Sequence, residues 1–319
     1  MNTYADIRPP CVLDIRAEDY HAGPGISKSG LDWIHQCPAL LEWSQKAPVD
    51  EEAKSAVQIG TALHTLLLEP ARFALEYVAD FKAPDGALVT ADDIKGALTK
   101  ADIKFAASAS KAALAKLLLD HNPNAPVSDR LHEEWQRGIS GRVVVSPAEW
   151  RKLHLMRDSV MAHPTARKLF EADGEVERCH YWTDKETGEL CRSRPDKTVP
   201  SLRVIADVKT AADVSERGFN QSIHEYRYHV QDAFYTDGCT KTMWKPQKFL
   251  FVLVGTTRDR ARYPVHVREL PPEHVQFGRD EYRMDLHTYA HAKKTGTWNG
   301  IERASLPEWS IGQYGGISA

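Results

Sequence analysis

Apolar positions follow a helical period in the first half of the chain and a strand period in the second. Helical spacing covers residues 27–43, 51–78 and 146–170. Pro38 is expected to split the first stretch into two short helices, and the last stretch is predicted as a helix to about 163, before Pro164, followed by a shorter one to 170. Alternation of apolar and polar residues begins at 175–182. The pattern therefore predicts a helical N-terminal part followed by a sheet.

The predicted sheet has five strands, at residues 175–182, 189–195, 202–209, 248–256 and 263–270. A turn at 184–188 joins the first two strands into a hairpin. Helices are predicted at 215–237, ending before Gly238, and at 272–295. The first 24 residues are expected to be irregular, and the tail from Trp298 is expected to wrap the surface or to contact another subunit. This order predicts an α/β core with a mainly antiparallel sheet.

The segment 82–141 differs from its flanks. Thr90 and Ser110 are suitable N-caps for helices at 91–100 and 111–120, with an extended piece at 103–106 between them. This order resembles the SAP-type helix–extended–helix module, which often touches nucleic acid, although an insertion that only packs on the main domain explains it equally well. Residues 121–141 are expected to form a linker. The predicted division is 1–81, 82–141 and 142–319.

Composition narrows the class of protein. The chain of 319 residues is 42% hydrophobic and 27% charged, with a net charge of −3, which is ordinary for a globular protein. This charge argues against coating nucleic acid over the whole surface but allows a local basic groove. No apolar run is long enough for a membrane span, and no signal-peptide pattern begins the sequence. Five cysteines without a CxxC pair favour reduced thiols and a cytoplasmic location over zinc or iron–sulfur sites.

Acidic residues and one lysine lie on or beside three consecutive predicted strands. These are Glu177, Asp196, Asp207 and Lys209. Asp207 and Lys209 are two positions apart in a strand and therefore share a face. Carboxylates gathered at one end of a sheet repel one another unless a cation lies between them, and oxygen ligands suit Mg²⁺ or Mn²⁺. A neighbouring lysine can position or deprotonate a water for attack on phosphorus.

The combined pattern resembles the PD-(D/E)xK nuclease superfamily and, within it, the RecE-type exonuclease of phage and prophage recombination systems. The match is carried by HAGPGISKSGL at 21–31, GTALH at 60–64, YWTDKETGELCRSRPDK at 181–197, ADVKTAAD at 206–213 and YRYHVQDAFYTDG at 226–238. It covers most of 20–310 and departs at about 82–140. The resemblance implies a nuclease core, a central mixed sheet flanked by helices, with a helical N-terminal part and a small helical insertion.

The resemblance also implies roles for individual residues. Lys209 would activate the water. His64, which taken alone would be read as a buried structural histidine, would lie near the metal. Glu175 remains an alternative to Glu177, because the two lie two positions apart on the same predicted strand. The implied metal-binding set is Asp196, Asp207, Glu177, His64 and Val208.

Predicted DNA contacts lie around the acidic set. Gln231 and Tyr235 match the QxxxY motif of the family, and the resemblance implies that they bind DNA phosphate without reading sequence. They are four positions apart on one helix and therefore share a face. A phosphate track is predicted from the basic residues Arg192, Arg194, Lys197, Arg203, Arg227 and Arg258.

The implied activity is a magnesium-dependent exonuclease that digests one strand of duplex DNA from the 5′ end. It would leave a 3′ single-stranded tail for a RecT-type annealing partner and would form a ring-shaped homotetramer around its substrate. Two alternatives stay open from the sequence. One is a catalytically silent DNA-binding protein, and the other is an endonuclease of the same superfamily.

Overall fold

The computed structural model describes residues 2–48, 59–139, 141–298 and 301. The chain forms two compact units, one made of Met1–Ala56 with Leu155–Ala319 and the other of Val57–His154. We refer to them as the sheet unit and the helical unit. The mixed α/β character expected from the sequence is confirmed.

The described residues contain α-helices and β-strands that we number in chain order. The helices are α1 (Ala17–Ala22), α2 (Lys28–Gln36), α3 (Pro38–Lys46), α4 (Ile59–Leu68), α5 (Pro70–Glu76), α6 (Ala91–Lys100), α7 (Lys111–His121), α8 (Ser128–Gly138), α9 (Pro147–Ala162), α10 (Pro164–Glu171), α11 (Glu216–Glu225), α12 (Tyr228–Thr242) and α13 (Pro272–Thr295). The strands are β1 (Cys11–Leu13), β2 (Tyr77–Ala79), β3 (Val143–Val145), β4 (Glu175–Val176), β5 (Cys179–Thr183), β6 (Leu190–Ser193), β7 (Lys197–Val199), β8 (Val204–Ala211), β9 (Lys248–Gly255) and β10 (Val265–Arg268).

A five-stranded sheet in the order β10-β9-β8-β7-β4 is the centre of the sheet unit. Strands β8 and β9 are parallel, whereas the other neighbours are antiparallel. Ile205, Phe249 and Phe251 of β8 and β9 pack with Phe219 of α11 and Cys239 of α12. The sheet is therefore mixed, as the family resemblance implies, and its central strand β8 carries Asp207 and Lys209.

A smaller sheet, in the order β1-β5-β6, lies in the same unit. The hairpin predicted around 184–188 is confirmed, since β5 and β6 pair with Trp182 opposite Cys191. The single strand predicted at 175–182 is wrong, because Glu177 has a left-handed backbone (φ 53°) that separates β4 from β5. The first 24 residues, expected to be irregular, contain β1 and α1. Strand β1 pairs with β5, a long-range contact that a local pattern does not contain.

The helix predicted at 215–237 is divided in two. Arg227 has a left-handed backbone (φ 50°, ψ 50°) between α11 and α12. Helix α12 then continues through Gly238 to Thr242 instead of ending there. A Cβ on Gly238 would lie 2.5 Å from the Trp182 ring, so this glycine serves close packing inside the helix rather than its termination.

The helical unit contains α4 to α8 and the parallel pair of β2 and β3. The helix predicted at 51–78 is interrupted, because Pro70 has no N–H to continue α4 and the chain then forms α5 and β2. Residues 51–58 of that prediction lie outside the described residues. A small core closes the predicted module, with Ile94 and Leu98 of α6 packed against Leu114 and Leu118 of α7.

The linker expected at 121–141 is wrong, since Ser128–Gly138 forms helix α8. Leu88 and Val127 form a β-bridge that brings the two ends of the module together. Helices α9 and α13 lie within one residue of the predicted positions. Of the C-terminal tail, only Trp298 and Ile301 are among the described residues. None of the described helices combines the length and the apolar character that a membrane span requires.

Candidate active site

Strands β7 and β8 bring Asp196 and Asp207 to the same place. Their antiparallel register pairs Lys197 with Ala206, so one step further along the ladder Asp196 faces Asp207. Asp196 Oδ2 accepts a hydrogen bond of 2.7 Å from the backbone N–H of Val208. Like charges opposite each other destabilise a strand pair, so these carboxylates need donors or a cation. The backbone at Val208 supplies one of the donors.

Glu177 is the third carboxylate of this site. Its N–H donates to the carbonyl of Asp196 at 3.1 Å, and carboxylate oxygens of the two residues lie within 4.8 Å of each other. Arg194 Nε contacts both the Glu177 carboxylate, at 2.7 Å, and its backbone carbonyl, at 2.9 Å. The left-handed backbone of a non-glycine residue costs about 1–3 kcal/mol and is typical of functional sites.

Glu175 lies elsewhere. It is paired with Thr198 in the ladder of β4 and β7. Its charge acts on the Cys239 thiol instead: burial raises the pKa of this thiol to about 11, and Glu175 contributes to the rise. Because Glu177 leaves the strand geometry, the two glutamates no longer share a face. The structure therefore brings Glu177, and not Glu175, beside Asp196.

Asp207 is buried, with 1% of its surface exposed, and two side chains hold its carboxylate. Lys209 Nζ lies 2.8 Å from Oδ2, and Gln231 Nε2 donates to Oδ1 at 2.6 Å. Burial lowers the pKa of Lys209, but the charges of Asp207 and Asp196 outweigh it and the pKa is raised. Lys209 is therefore an ammonium held against a carboxylate, with its Nζ 4.9 Å from the centre of the Tyr228 ring.

Helix α12 supplies the side of the site that faces β8. Gln231 and Tyr235 do share a face, as their spacing predicts. Gln231 uses its amide on Asp207, however, so its predicted phosphate contact would need a second geometry. Burial, with nearby acidic groups that include Asp207 and Asp196, raises the pKa of Tyr235 well above its usual range. Tyr235 thus keeps its proton and can donate a hydrogen bond at any ordinary pH.

The contacts of Arg192, Arg194 and Lys197 do not support the predicted phosphate track. Arg192 donates to the carbonyls of Gly23 at 2.7 Å, of His21 at 3.1 Å and of Tyr20. Lys197 Nζ donates to the carbonyl of Phe170 at 2.6 Å. Both side chains are buried, and Arg194 is engaged with Glu177. Their donors organise the protein around the site and do not face solvent as a phosphate track would.

Lys209 forms part of the wall of two neighbouring cavities. One cavity, of about 530 Å³, is also lined by Lys28, Arg227 and Gln231. The other, of about 330 Å³, lies towards the end of β8. Tyr226 and Tyr228 line both. Lys28 and Tyr226 were not among the predicted site residues, although both fall within stretches that carry the family resemblance.

His64 belongs to the helical unit, where it lies on α4 and is half-buried. Its predicted role at the metal stays a prediction. In the sheet unit, carboxylate oxygens of Asp196 and Glu177 lie within 4.8 Å of each other, and Asp207 faces Asp196 from the next strand. Carboxylate oxygens of this kind are the donors that a divalent cation prefers.

A mixed sheet with two aspartates and a lysine on adjacent strands defines a PD-(D/E)xK-type nuclease. Comparison with known proteins agrees, because residues 133–303 match the family model described as a PDDEXK-like domain of unknown function, DUF3799. The chain belongs to this family. The predicted superfamily is thereby confirmed.

Among solved structures, the chain is similar to a candidate exonuclease from Eubacterium rectale. The TM-score is 0.52 at 10% identity, over 94% of this chain and 98% of that one. At this identity the likeness shows the fold alone. A phage-related exonuclease from Haemophilus somnus 129PT matches at a TM-score of 0.30 and 12% identity, over 45% of this chain and 71% of that one, which is too low to carry an argument. No curated protein matches the chain.

Proposed function

We propose that this nuclease is a metal-dependent exonuclease acting on duplex DNA ends, with Mg²⁺ as its ion and Mn²⁺ as a substitute. The observation that carries the proposal is Lys209 held at 2.8 Å from Asp207, with Asp196 on the adjacent strand and an open cavity in front. A silent DNA-binding protein would gain nothing from buried carboxylates near phosphate, because they weaken binding.

The ion would be held by Asp196, Asp207 and Glu177, and the resemblance adds Val208 and His64. When bound, it supplies Lewis acidity toward a phosphate oxygen and lowers the pKa of a water. The protein's own groups fix the arrangement. Gln231 orients Asp207, the N–H of Val208 orients Asp196, and Arg194 orients Glu177. Lys209 would hold the attacking water and place positive charge beside the phosphate.

Three finer parts of the proposal rest on the resemblance to RecE-type exonucleases. They are digestion from the 5′ end, a ring-shaped homotetramer, and delivery of the 3′ tail to a RecT-type annealing protein during recombination in the cytoplasm of the host cell. A ring would keep the enzyme on DNA without many phosphate contacts. This suits a net charge of −3 and a site beside which Arg194 and Lys197 are engaged with other groups of the protein.

The activity is tested with linear duplex DNA labelled at either end and with a covalently closed circle. We expect release of nucleotides with Mg²⁺ or Mn²⁺, none with a chelator, earlier loss of the label at the 5′ end, and no nicking of the circle. Nicking of the circle would favour the endonuclease alternative. Binding without any metal-dependent release would favour the silent binder.

The site assignment is tested with Asp207→Asn and Lys209→Ala. A matched control is Glu269→Gln, which removes one partner of the exposed pair of Lys248 and Glu269, 2.5 Å apart. Both site variants should lose activity by orders of magnitude, whereas the control should digest DNA like the parent. Digestion at parental rate by both site variants would refute the assignment. Light scattering of the purified protein checks the tetramer.

A further inference from the structure

An aromatic stack runs from the core of the sheet unit to the surface beside Lys209. Phe251 of β9 stacks on Tyr228, with ring centres 5.5 Å apart and planes at 28°. Tyr228 stacks on Tyr226, with centres 5.7 Å apart and planes at 25°. The last ring, Tyr226, is 53% exposed. The stack therefore ends in an open aromatic face next to the residues that would cleave DNA.

The turn that presents Tyr226 is strongly anchored. Arg227, with its left-handed backbone, contacts Asp32 at 3.0 Å, Glu281 at 3.2 Å and Asp285 at 2.7 Å. Lys28 Nζ donates to the backbone carbonyl of Tyr226 at 2.5 Å. A non-glycine residue keeps such a backbone only where its surroundings impose it. The position of the exposed ring is thus set both by the ion pairs of Arg227 and by the stacking of the ring on Tyr228.

The surroundings of the ring provide room for a nucleic acid strand. Cavities of about 530 Å³ and 330 Å³ are both lined by Tyr226, Tyr228 and Lys209. A strand whose phosphate lies at Lys209 would carry its base within reach of this aromatic face. Stacking on an aromatic side chain contributes about 1–3 kcal/mol per base and tolerates any sequence, because every base has a π-face.

We propose that Tyr226 is a stacking platform for a nucleobase of the strand being cleaved. The base leaves its neighbour in the duplex and continues the stack of Phe251, Tyr228 and Tyr226. This subsite rests on the proposed function, since it requires a DNA strand at Lys209. It predicts that the enzyme opens a duplex end locally and without sequence preference.

The test places a fluorescent adenine analogue, whose emission is quenched by stacking, at the terminal nucleotides of a duplex. Binding is followed with Ca²⁺ in place of Mg²⁺, and digestion is followed separately with Mg²⁺. The variants are Tyr226→Ala and Tyr226→Phe, which keeps the ring. The control is Phe277→Ala, because Phe277 is also an exposed aromatic, 59% exposed and stacked on His229 rather than on the site. Thermal unfolding is compared for all four proteins.

We expect the bound emission to differ between parent and Tyr226→Ala, with Tyr226→Phe and Phe277→Ala like the parent. Digestion of blunt duplex should fall about tenfold or more in Tyr226→Ala, and less on an end that is already unpaired. Equal emission and equal digestion in parent and Tyr226→Ala would overturn the platform. Loss of oligomer in Tyr226→Ala would also overturn it, because the ring would then be a contact between subunits.

The results for the parent protein distinguish failure of the stacking proposal from failure of the proposed nuclease activity. A parent that cleaves nothing, but whose stacking depends on Tyr226, keeps the platform and refutes the proposed activity. If the parent cleaves DNA, but neither base stacking nor digestion depends on Tyr226, the proposed activity is kept and the platform is refuted. A parent that neither binds nor cleaves refutes both.

Discussion

Gln231 donates a hydrogen bond of 2.6 Å to the carboxylate of Asp207 across the interface between α12 and β8. The same carboxylate carries Lys209 on its other oxygen. Asp207 is thereby fixed from two elements, β8 and α12, which are separated in the chain by α11 and the turn at Arg227. The helix that the sequence suggested as a DNA contact also determines the position of the proposed metal ligand.

Replacing Gln231 by alanine should lower metal-dependent digestion about ten- to a hundredfold, since a hydrogen bond to a buried charged group is worth about 1.5–3 kcal/mol. Titration with Mn²⁺ should show weaker binding of the ion. Gln276→Ala, on the exposed face of α13, is the control. A variant with parental metal binding that loses only DNA affinity would instead support the predicted phosphate contact.

Arg194→Lys separates the two roles considered for Arg194. Lysine keeps the charge but cannot contact the carboxylate and the carbonyl of Glu177 with one planar group. We expect slower digestion and an unchanged salt dependence of DNA binding. A shallower plot of log affinity against log salt in Arg194→Ala would show that Arg194 does neutralise a phosphate.

Asp232 should make stability depend on pH. Burial raises its pKa to about 7 from an ordinary 3.8. Between these values the folded protein holds a proton that the unfolded chain has lost, so the free energy of unfolding falls as the pH rises through this window. The total loss is up to about 4 kcal/mol at pH 8.

Asp232→Asn removes this titration. Denaturant unfolding at several pH values should show a flatter profile and greater stability than the parent at pH 8. Asp280→Asn, which changes an exposed carboxylate on α13, should leave the profile unaltered. If Asp232→Asn follows the same pH profile as the parent, the carboxyl of Asp232 is not the group that titrates.

His64→Ala tests the role that the resemblance gives to His64. As a metal ligand, His64 should be needed for digestion and for Mn²⁺ affinity, with little change in unfolding temperature. As a structural histidine it should be needed mainly for stability. His121→Ala, at the exposed end of α7 in the same unit, is the control.

The helix–extended–helix module can be excised cleanly, because its ends meet. Leu88 N donates to the carbonyl of Pro126 at 2.8 Å, and Ser128 N donates to that of Leu88 at 3.0 Å. Deleting 89–126 behind a short linker should lower processivity on long duplexes while sparing digestion of short ones, if the module guides DNA. An insoluble product would favour the packing role, and unchanged processivity would exclude guidance.

Local sequence determined much of the fold. Pro38 separates α2 from α3. At the start of α9 the N–H of Glu149 donates to Ser146 Oγ, and this hydroxyl donates to the Glu149 carboxylate. The apolar run at 249–254 predicted β9, because nearly every residue of that strand is buried. The pattern of Asp196, Asp207 and Lys209 located the candidate site, since strand alternation fixes which side chains share a face.

Tertiary structure decided what depends on contacts between distant residues. Acidic partners from three other positions, of which Asp285 is buried and Asp32 and Glu281 are partly buried, hold Arg227 in the left-handed turn that divides the predicted helix. Trp182 determines that Gly238 lies inside a helix. The contacts of Arg192 and Lys197 turn two predicted DNA contacts into internal supports. In each case the conformation of the residue is the one with the lowest free energy in the folded protein. That free energy depends on contacts with residues far away in the chain, which a local sequence pattern does not contain.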